Sequence, residues 1–218
     1  MNNRQFSSHR DKQVIQVVSA CKAMTTQQIA ILLFPGKAGL RKCQQRLKYL
    51  ADHKLINFIK RPFFDMPNVY YLKKEPSLSA LQHIVAVTWI YVWLSKHYEV
   101  EHWETEVDFG ILQCDALCKL KEGLWYFIEF DRSISHNGFK KPMQYSELYS
   151  KEGMLGSDLL KKLENPSKFP RILIITDSAK RGVKIKNSIK QDNPYGIGYG
   201  LEKNEIYLYD EILKEVNV

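Results

Sequence analysis

A break at Pro76-Ser77 divides the chain into two stretches of different periodicity, and no other sequence feature constrains the fold as much. Before the break, apolar residues recur at helical spacing in three successive segments, then fill two short strand-like runs. After it, one long apolar helix leads into a series of strand-like runs. The charge changes at the same place. Residues 1–75 hold 14 Lys and Arg against 4 Asp and Glu, a net of +10. The remaining 18 basic and 20 acidic residues leave residues 76–218 near neutral, at −2. A compact basic unit beside a near-neutral body is the footprint of one module that meets phosphates and another with a different task. Residues 1–75 are therefore read as a DNA-binding domain and residues 76–218 as a second domain.

With 218 residues and 44% apolar content, the chain is long enough for two domains with real cores. Residues 1–10 lack the apolar run of a signal peptide, and the longest apolar stretch, Ile84 to Leu94, is about half of the ~20 residues a spanning helix needs. The expectation is a cytoplasmic protein without a membrane segment. Cysteines stand at 21, 43, 114 and 118, without CxxC spacing. Cys114 and Cys118 lie on an apparent strand, where a rise of ~3.3 Å per residue holds their Cα atoms ~13 Å apart, too far for a disulfide. Reduced, buried thiols are expected.

In the basic module, Val14, Ile15, Val17, Val18 and Cys21 mark a first helix. Thr25-Thr26-Gln27-Gln28 opens the second with a capping box, Thr25 capping Gln28 N–H while the Gln28 amide reaches back. That helix stops at Phe34-Pro35-Gly36. A third begins at Gly39, with Leu40, Cys43, Leu47, Leu50 and Ala51 on a core arc and Arg41, Lys42, Gln45, Lys48 and Tyr49 opposite. The runs Leu55–Lys60 and Val69–Leu72, joined by a turn-prone Arg61–Asn68, read as a hairpin. Three helices and a hairpin make a winged helix-turn-helix. In that geometry Arg41, Lys42, Gln45, Lys48 and Tyr49 meet the major groove, and Lys60 and Arg61 lie beside the backbone. Between Thr25 and Lys74 the only acids are Asp52 and Asp65. A merely solvated helix face would interleave both signs.

The second domain opens with a helix over Leu78–Tyr98, in which Leu81, Ile84, Val85, Trp89, Val92 and Trp93 are candidates for burial. Strands are expected over 98–106, 113–120 and 124–130, the last two joined by a tight turn at Lys121-Glu122-Gly123. A loop containing Asn137-Gly138 follows, then a helix from Pro142, a strand over 171–176, a basic helix over 179–190 and a last strand over 205–209. The class is α+β, with the order αβββαβ(αβ). Asp115 on the second strand, with Glu129 and Asp131 on one face of the third, can converge across an antiparallel ladder. Asp115 and Glu129 would supply the oxygen ligands that suit Mg²⁺ or Mn²⁺. The plainer reading of Glu129, Asp131 and Arg132 is a salt-bridge cluster fixing the strand end, with His136 a bystander in the loop beyond. Lys180, Arg181, Lys184, Lys186 and Lys190 form either a second phosphate-contacting surface or a solvated face balanced by Glu202 and Glu205.

The order αβββαβ with Asp on strand two and Glu on strand three resembles the PD-(D/E)xK nuclease fold. Asp115-Ala116-Leu117 and Glu129-Phe130-Asp131 follow its D…ExK pattern, except that Asp131 stands where that family has its catalytic lysine. Lys140 or Lys141, at the start of the next helix, is the replacement cation that the resemblance offers. Over residues 10–190 the chain is similar to the replication-relaxation family of plasmids and mobile elements in Gram-positive bacteria, which joins a winged helix to a degenerate nuclease-like domain. The likeness rests on Thr25–Ile29, Arg46-Leu47-Lys48-Tyr49-Leu50, Val69-Tyr70-Tyr71-Leu72 and, above all, Trp125–Arg132, which resembles a signature of the form F-x-E-x-D-R. It implies a DNA-binding accessory of replication or mobilisation, with duplex DNA and the proteins of those processes as partners.

Two classes of function follow. One is a sequence-specific DNA-binding regulator or replication accessory whose second domain mediates dimerisation, with the Trp89–Leu94 stretch suited to a two-fold contact in a homodimer. The other is a metal-dependent endonuclease using Asp115, Glu129, Asp131 and Lys140 or Lys141.

Overall fold

The computed structural model describes residues 9–121, 123–132, 140–152, 163 and 168–216. Glu122, the loop with His136 and Asn137-Gly138, and the first eight residues lie outside the described residues. The protein is of the α+β class, with seven described helices and two sheets. It divides into two compact units, Met1–His97 and Tyr98–Val218.

The first unit contains α1 (His9–Cys21), β1 (Ala23–Thr25), α2 (Thr26–Leu33), α3 (Gly39–Asp52), β2 (Asn57–Ile59), β3 (Val69–Tyr71) and α4 (Leu78–His97). The capping box forms as its residues dictate: Thr25 Oγ1 accepts from Gln28 N at 3.2 Å, and Thr25 N donates to Gln28 Oε1 at 2.8 Å. α2 ends at Phe34-Pro35, and the chain turns so tightly that a Cβ at Gly39 would lie 1.8 Å from the Phe34 carbonyl oxygen. Only glycine allows that approach. Cys43, Leu47 and Leu50 are fully buried on α3, but Leu40, expected on the core arc, is 49% exposed. It sits in the first turn of the helix, where the chain has only just left Phe34, and it faces a groove rather than the core.

β2 and β3 pair antiparallel as expected, with Asn57 opposite Tyr71 and Ile59 opposite Val69. A third strand, β1, joins the other edge of β3, giving the order β1-β3-β2. Three residues between two helices carry no period that would reveal a strand. The unit boundary falls at His97 and not at Glu75, because α4 is part of the first core. Gln28, itself fully buried, donates through Nε2 to the Val85 carbonyl at 2.8 Å, and Thr88 Oγ1 donates to the Ala23 carbonyl at 3.1 Å. Of the six α4 residues expected in the core, Leu81, Val85, Trp89, Val92 and Trp93 are buried and Ile84 is half-buried. The Trp89–Leu94 stretch expected to form a two-fold contact is mostly buried within the protomer itself. Among the described helices, α4 is long and apolar enough by length and composition to cross a membrane, and half of that window is buried.

In the second unit, β4 (Val100–Asp108), β5 (Gln113–Leu120) and β6 (Trp125–Asp131) form an antiparallel meander. α5 (Lys141–Glu152) precedes β7 (Arg171–Thr176), which runs parallel to β6, and α6 (Ala179–Asp192) precedes β8 (Tyr207–Leu208), parallel to β7. The sheet order is β4-β5-β6-β7-β8. All seven residues of β6 are buried. On one face Phe127 meets Tyr145 of α5 and Phe169, and Ile185 and Ile189 of α6 join the same core. On the other, Phe130 packs on Tyr209. The strand expected over 205–209 shortens to β8, and the chain continues into α7 (Tyr209–Val216), a helix that the sequence reading did not include. Its signal was Ile212 and Val216 four residues apart behind Asp210-Glu211. All four cysteines are free and buried.

Asp11 of α1 is 3% exposed, and both its carboxylate oxygens accept from Arg46 of α3. Replacing Asp11 with Ala strands a half-buried guanidinium and should cost about 2–4 kcal/mol. Urea unfolding of the variant measures it, and a change within error would show that the pair does not hold α1 to α3.

Candidate functional site

Arg41, Lys42, Gln45 and Lys48 are all exposed on α3, opposite the buried Cys43, Leu47 and Leu50. Arg46 is taken out of that face by Asp11, and its guanidinium lies 4.6 Å from the centroid of the Tyr49 ring. Tyr49 also meets His53, with ring centroids 4.2 Å apart, so it is a half-buried packing residue rather than an open contact.

Lys60 and Arg61 lie at the end of β2. Arg61 adopts a left-handed φ of 41°, and its N–H donates to Asn68 Oδ1 at 3.3 Å, which closes the base of the β2–β3 turn. A groove of about 840 Å³ runs between α3 and this turn. Lys48, Lys60 and Arg61 line it together with Thr26, Gln27, Gln44 and Asn68, and Asp52 is the one acid among the described residues of its wall. Arg41, Lys42 and Gln45 stand outside the groove on the same helix. Gln27 and Gln44 were missed in the sequence reading. Gln44 could have been found, since it lies one helical turn before Lys48.

The second candidate site is at the carboxyl end of β6. The β5–β6 ladder is regular up to Ala116 opposite Ile128. Beyond that pair, Asp115 Oδ2 accepts the Phe130 N–H at 2.7 Å, so a side chain takes over from the ladder. Glu129 is 3% exposed, and its Oε1 accepts from the Tyr145 hydroxyl and lies 3.1 Å from Lys141 Nζ. Lys141 also donates to the Gln113 carbonyl. Lys141 and Tyr145 are one turn apart on α5, so one helix face delivers both.

Burial pushes the Glu129 carboxyl up to about 8, and the nearby charge of Asp115 adds to the rise, against the pull of Lys141 and the Tyr145 hydrogen bond. Tyr145 is held well above the ordinary phenol range by burial and by Glu129.

The structure thus brings Asp115, Glu129 and Lys141 together and leaves two of the expected residues out. Lys140 is exposed. Asp131 pairs with Arg181 of α6 through Nε at 2.7 Å, both side chains being buried. Of the basic run on α6, Arg181 is therefore a buried partner, while Lys180, Lys184, Lys186 and Lys190 are exposed. Sequence gave no means of singling out Arg181, because the pair joins residues 50 positions apart.

Asp115 and Glu129 are two hard oxygen donors in one place. That fits Mg²⁺ or Mn²⁺, which binds through one or two carboxylates and leaves its other positions to water and substrate phosphate. No group of three or more His, Cys, Asp or Glu that could hold a metal ion occurs among the described residues.

No family model matches the chain. No curated protein matches it significantly. Among solved structures, it is similar to protein VC1899 from Vibrio cholerae, with 11% identity and a TM-score of 0.36 over 97% of this chain and 56% of that one. The chain thus spans about half the length of that protein.

Because the Glu129 carboxyl is raised in the folded state, the native protein holds a proton that the unfolded chain gives up near the ordinary carboxylate value. Stability from this group is therefore greatest at acid pH, falls as pH rises from there to about 8, and levels off above. Glu129→Gln in metal-free buffer should flatten that fall and raise the melting temperature at pH 8 more than at pH 5. Equal shifts at both values would place the Glu129 proton elsewhere.

Proposed function

We propose that this protein binds duplex DNA through the α3 groove and acts as an accessory or regulator of plasmid or mobile-element replication, mobilisation or transcription in the cytoplasm. The observation that carries the reading is the convergence of Lys48, Lys60 and Arg61 with Gln27 and Gln44 on one groove. Cations there meet phosphates, and the amide side chains have the donor and acceptor pair that reads adenine.

The first unit is read as a winged helix-turn-helix, with α3 as recognition helix and the β2–β3 turn as wing. What supports this is the element order, the antiparallel β1-β3-β2 sheet and the outward basic face of α3. The process served is inferred from the resemblance to the replication-relaxation family, carried chiefly by Trp125–Arg132.

A second reading has a specific observation behind it. Lys141 lies 3.1 Å from Glu129 beside Asp115, in the role left open by Asp131 in a PD-(D/E)xK-like domain. On that reading Asp115 and Glu129 hold Mg²⁺ or Mn²⁺, which would activate water toward a phosphodiester. Lys141 balances the carboxylates, and Tyr145 fixes the Glu129 rotamer.

Arg41→Ala with Lys48→Ala should weaken duplex binding and reduce the slope of log affinity against log salt by about one unit per lost phosphate contact. Affinity and slope equal to those of the parent would remove α3 from the interface. In the same titrations with Mn²⁺, intact DNA supports the binding role alone. Cleavage that disappears in Asp115→Asn assigns the nuclease, whereas cleavage that persists in that variant arises elsewhere.

A further inference from the structure

A second cavity, of about 350 Å³, opens at the other end of β6 and β7 from Glu129 and Asp131. β6 and β7 run parallel with Tyr126 opposite Arg171, Glu129 opposite Ile174 and Asp131 opposite Thr176, so along the strands the cavity end lies ~10 Å from Glu129 and ~16 Å from Asp131. Neither reading above uses this cavity. Its volume is within the range of small-ligand sites.

One wall is aromatic. A series of rings runs from the core to the surface: Phe127 meets Phe169 at 5.6 Å, Phe169 meets Tyr149 at 5.2 Å, and Tyr149 meets Tyr195 at 4.8 Å. Tyr195 ends the series 49% exposed. A large ring held by neighbours at one side and open to solvent at the other is a stacking platform.

The other wall is cationic. Lys168 is exposed, and Arg171 is anchored by its Nη2 donating to the Tyr199 carbonyl at 3.0 Å. Arg171 Nε is buried and meets no hydrogen-bond partner among the described residues. Among the described residues that line the cavity, Lys168 and Arg171 are the charged ones. Gly198 keeps the wall bare, since a Cβ there would come within 3.2 Å of Arg171 Nε. The loop that carries Gly198 is built rather than loose: Asn193 Oδ1 accepts from Ile197 N, Asn193 Nδ2 donates to the Ile197 carbonyl, and Ile172 N donates to the Gly198 carbonyl.

We propose that this cavity binds a nucleotide, the base stacking on Tyr195 and the phosphate meeting Lys168 and Arg171. A planar heteroaromatic ring joined to a phosphate satisfies both walls at once, whereas an apolar ligand would leave the cations unanswered and a bare anion would leave the rings unused. The same chemistry is presented by a free mononucleotide and by the phosphorylated end of a single strand.

The test is calorimetric titration of the full chain with AMP, with a 5′-phosphorylated deoxyadenosine trinucleotide, with adenosine and with inorganic phosphate. AMP binding assigns a free nucleotide, and trinucleotide binding without AMP binding assigns a strand end. Adenosine and phosphate alone should each bind about tenfold more weakly or not at all. Tyr195→Ala should weaken the bound form about fivefold or more, and Lys168→Gln should weaken it and lower its salt dependence. Both positions are exposed, and an unchanged melting temperature checks that the variants fold. Absence of heat with both AMP and the trinucleotide overturns the proposal. So does binding that neither variant alters. Because Tyr195 and Lys168 are remote in sequence from α3 and its turn, duplex affinity should be the same in both variants, which separates this test from that of the DNA groove.

Discussion

Two carboxylates, Glu129 and Asp131, enter the interior of the second unit on one face of a strand whose seven residues are all buried. An uncompensated charge in that position is costly, so each must be neutralised or paired. The two are handled differently. Asp131 receives a buried guanidinium from α6, while Glu129 receives a lysine, a phenol and a raised proton affinity from α5 and from burial. The docking of α5 and α6 on the sheet is thus bound up with the acids of β6 as well as with the rings and aliphatic side chains around Phe127.

The same economy orders the first unit. Asp11 draws Arg46 back against α1, and Gln28 links the start of α2 to both Thr25 and α4. With Arg46 withdrawn and Cys43, Leu47 and Leu50 facing inward, the outward face of α3 is left to Arg41, Gln44, Gln45 and Lys48. The basic surface is what remains once the internal demands of the helix are met. Its alignment with Lys60 and Arg61 then depends on the turn closed by Asn68.

Legibility followed the range of the interactions. The capping box at Thr25, the end of α2 at Phe34-Pro35 and the inward face of α3 were readable because each is decided within a few residues. The β5–β6 meander and the meeting of Asp115 with Glu129 were readable because a tight turn sets the register of the strands on either side. β1 was not, since three residues acquire strand geometry only by pairing with β3, more than forty positions away. The assignment of α4 to the second domain failed for a related reason: Pro76-Ser77 marks a local break in the chain, and a local break does not reveal which core a following apolar helix will enter.

The sequence by itself determined the α+β class, the helices and strands with strong periods, the concentration of positive charge in the first 75 residues and the placing of Asp115 near Glu129 on neighbouring strands. Only the tertiary structure decided which charges stay on the surface. It took Arg46 and Arg181 inside as partners of Asp11 and Asp131, chose Lys141 over Lys140 for Glu129, and gathered Tyr149, Phe169, Tyr195, Lys168 and Arg171 around one cavity. The physical reason is that residue type and spacing set local geometry, whereas desolvation and charge pairing act between groups that become neighbours only when the sheets and helices pack.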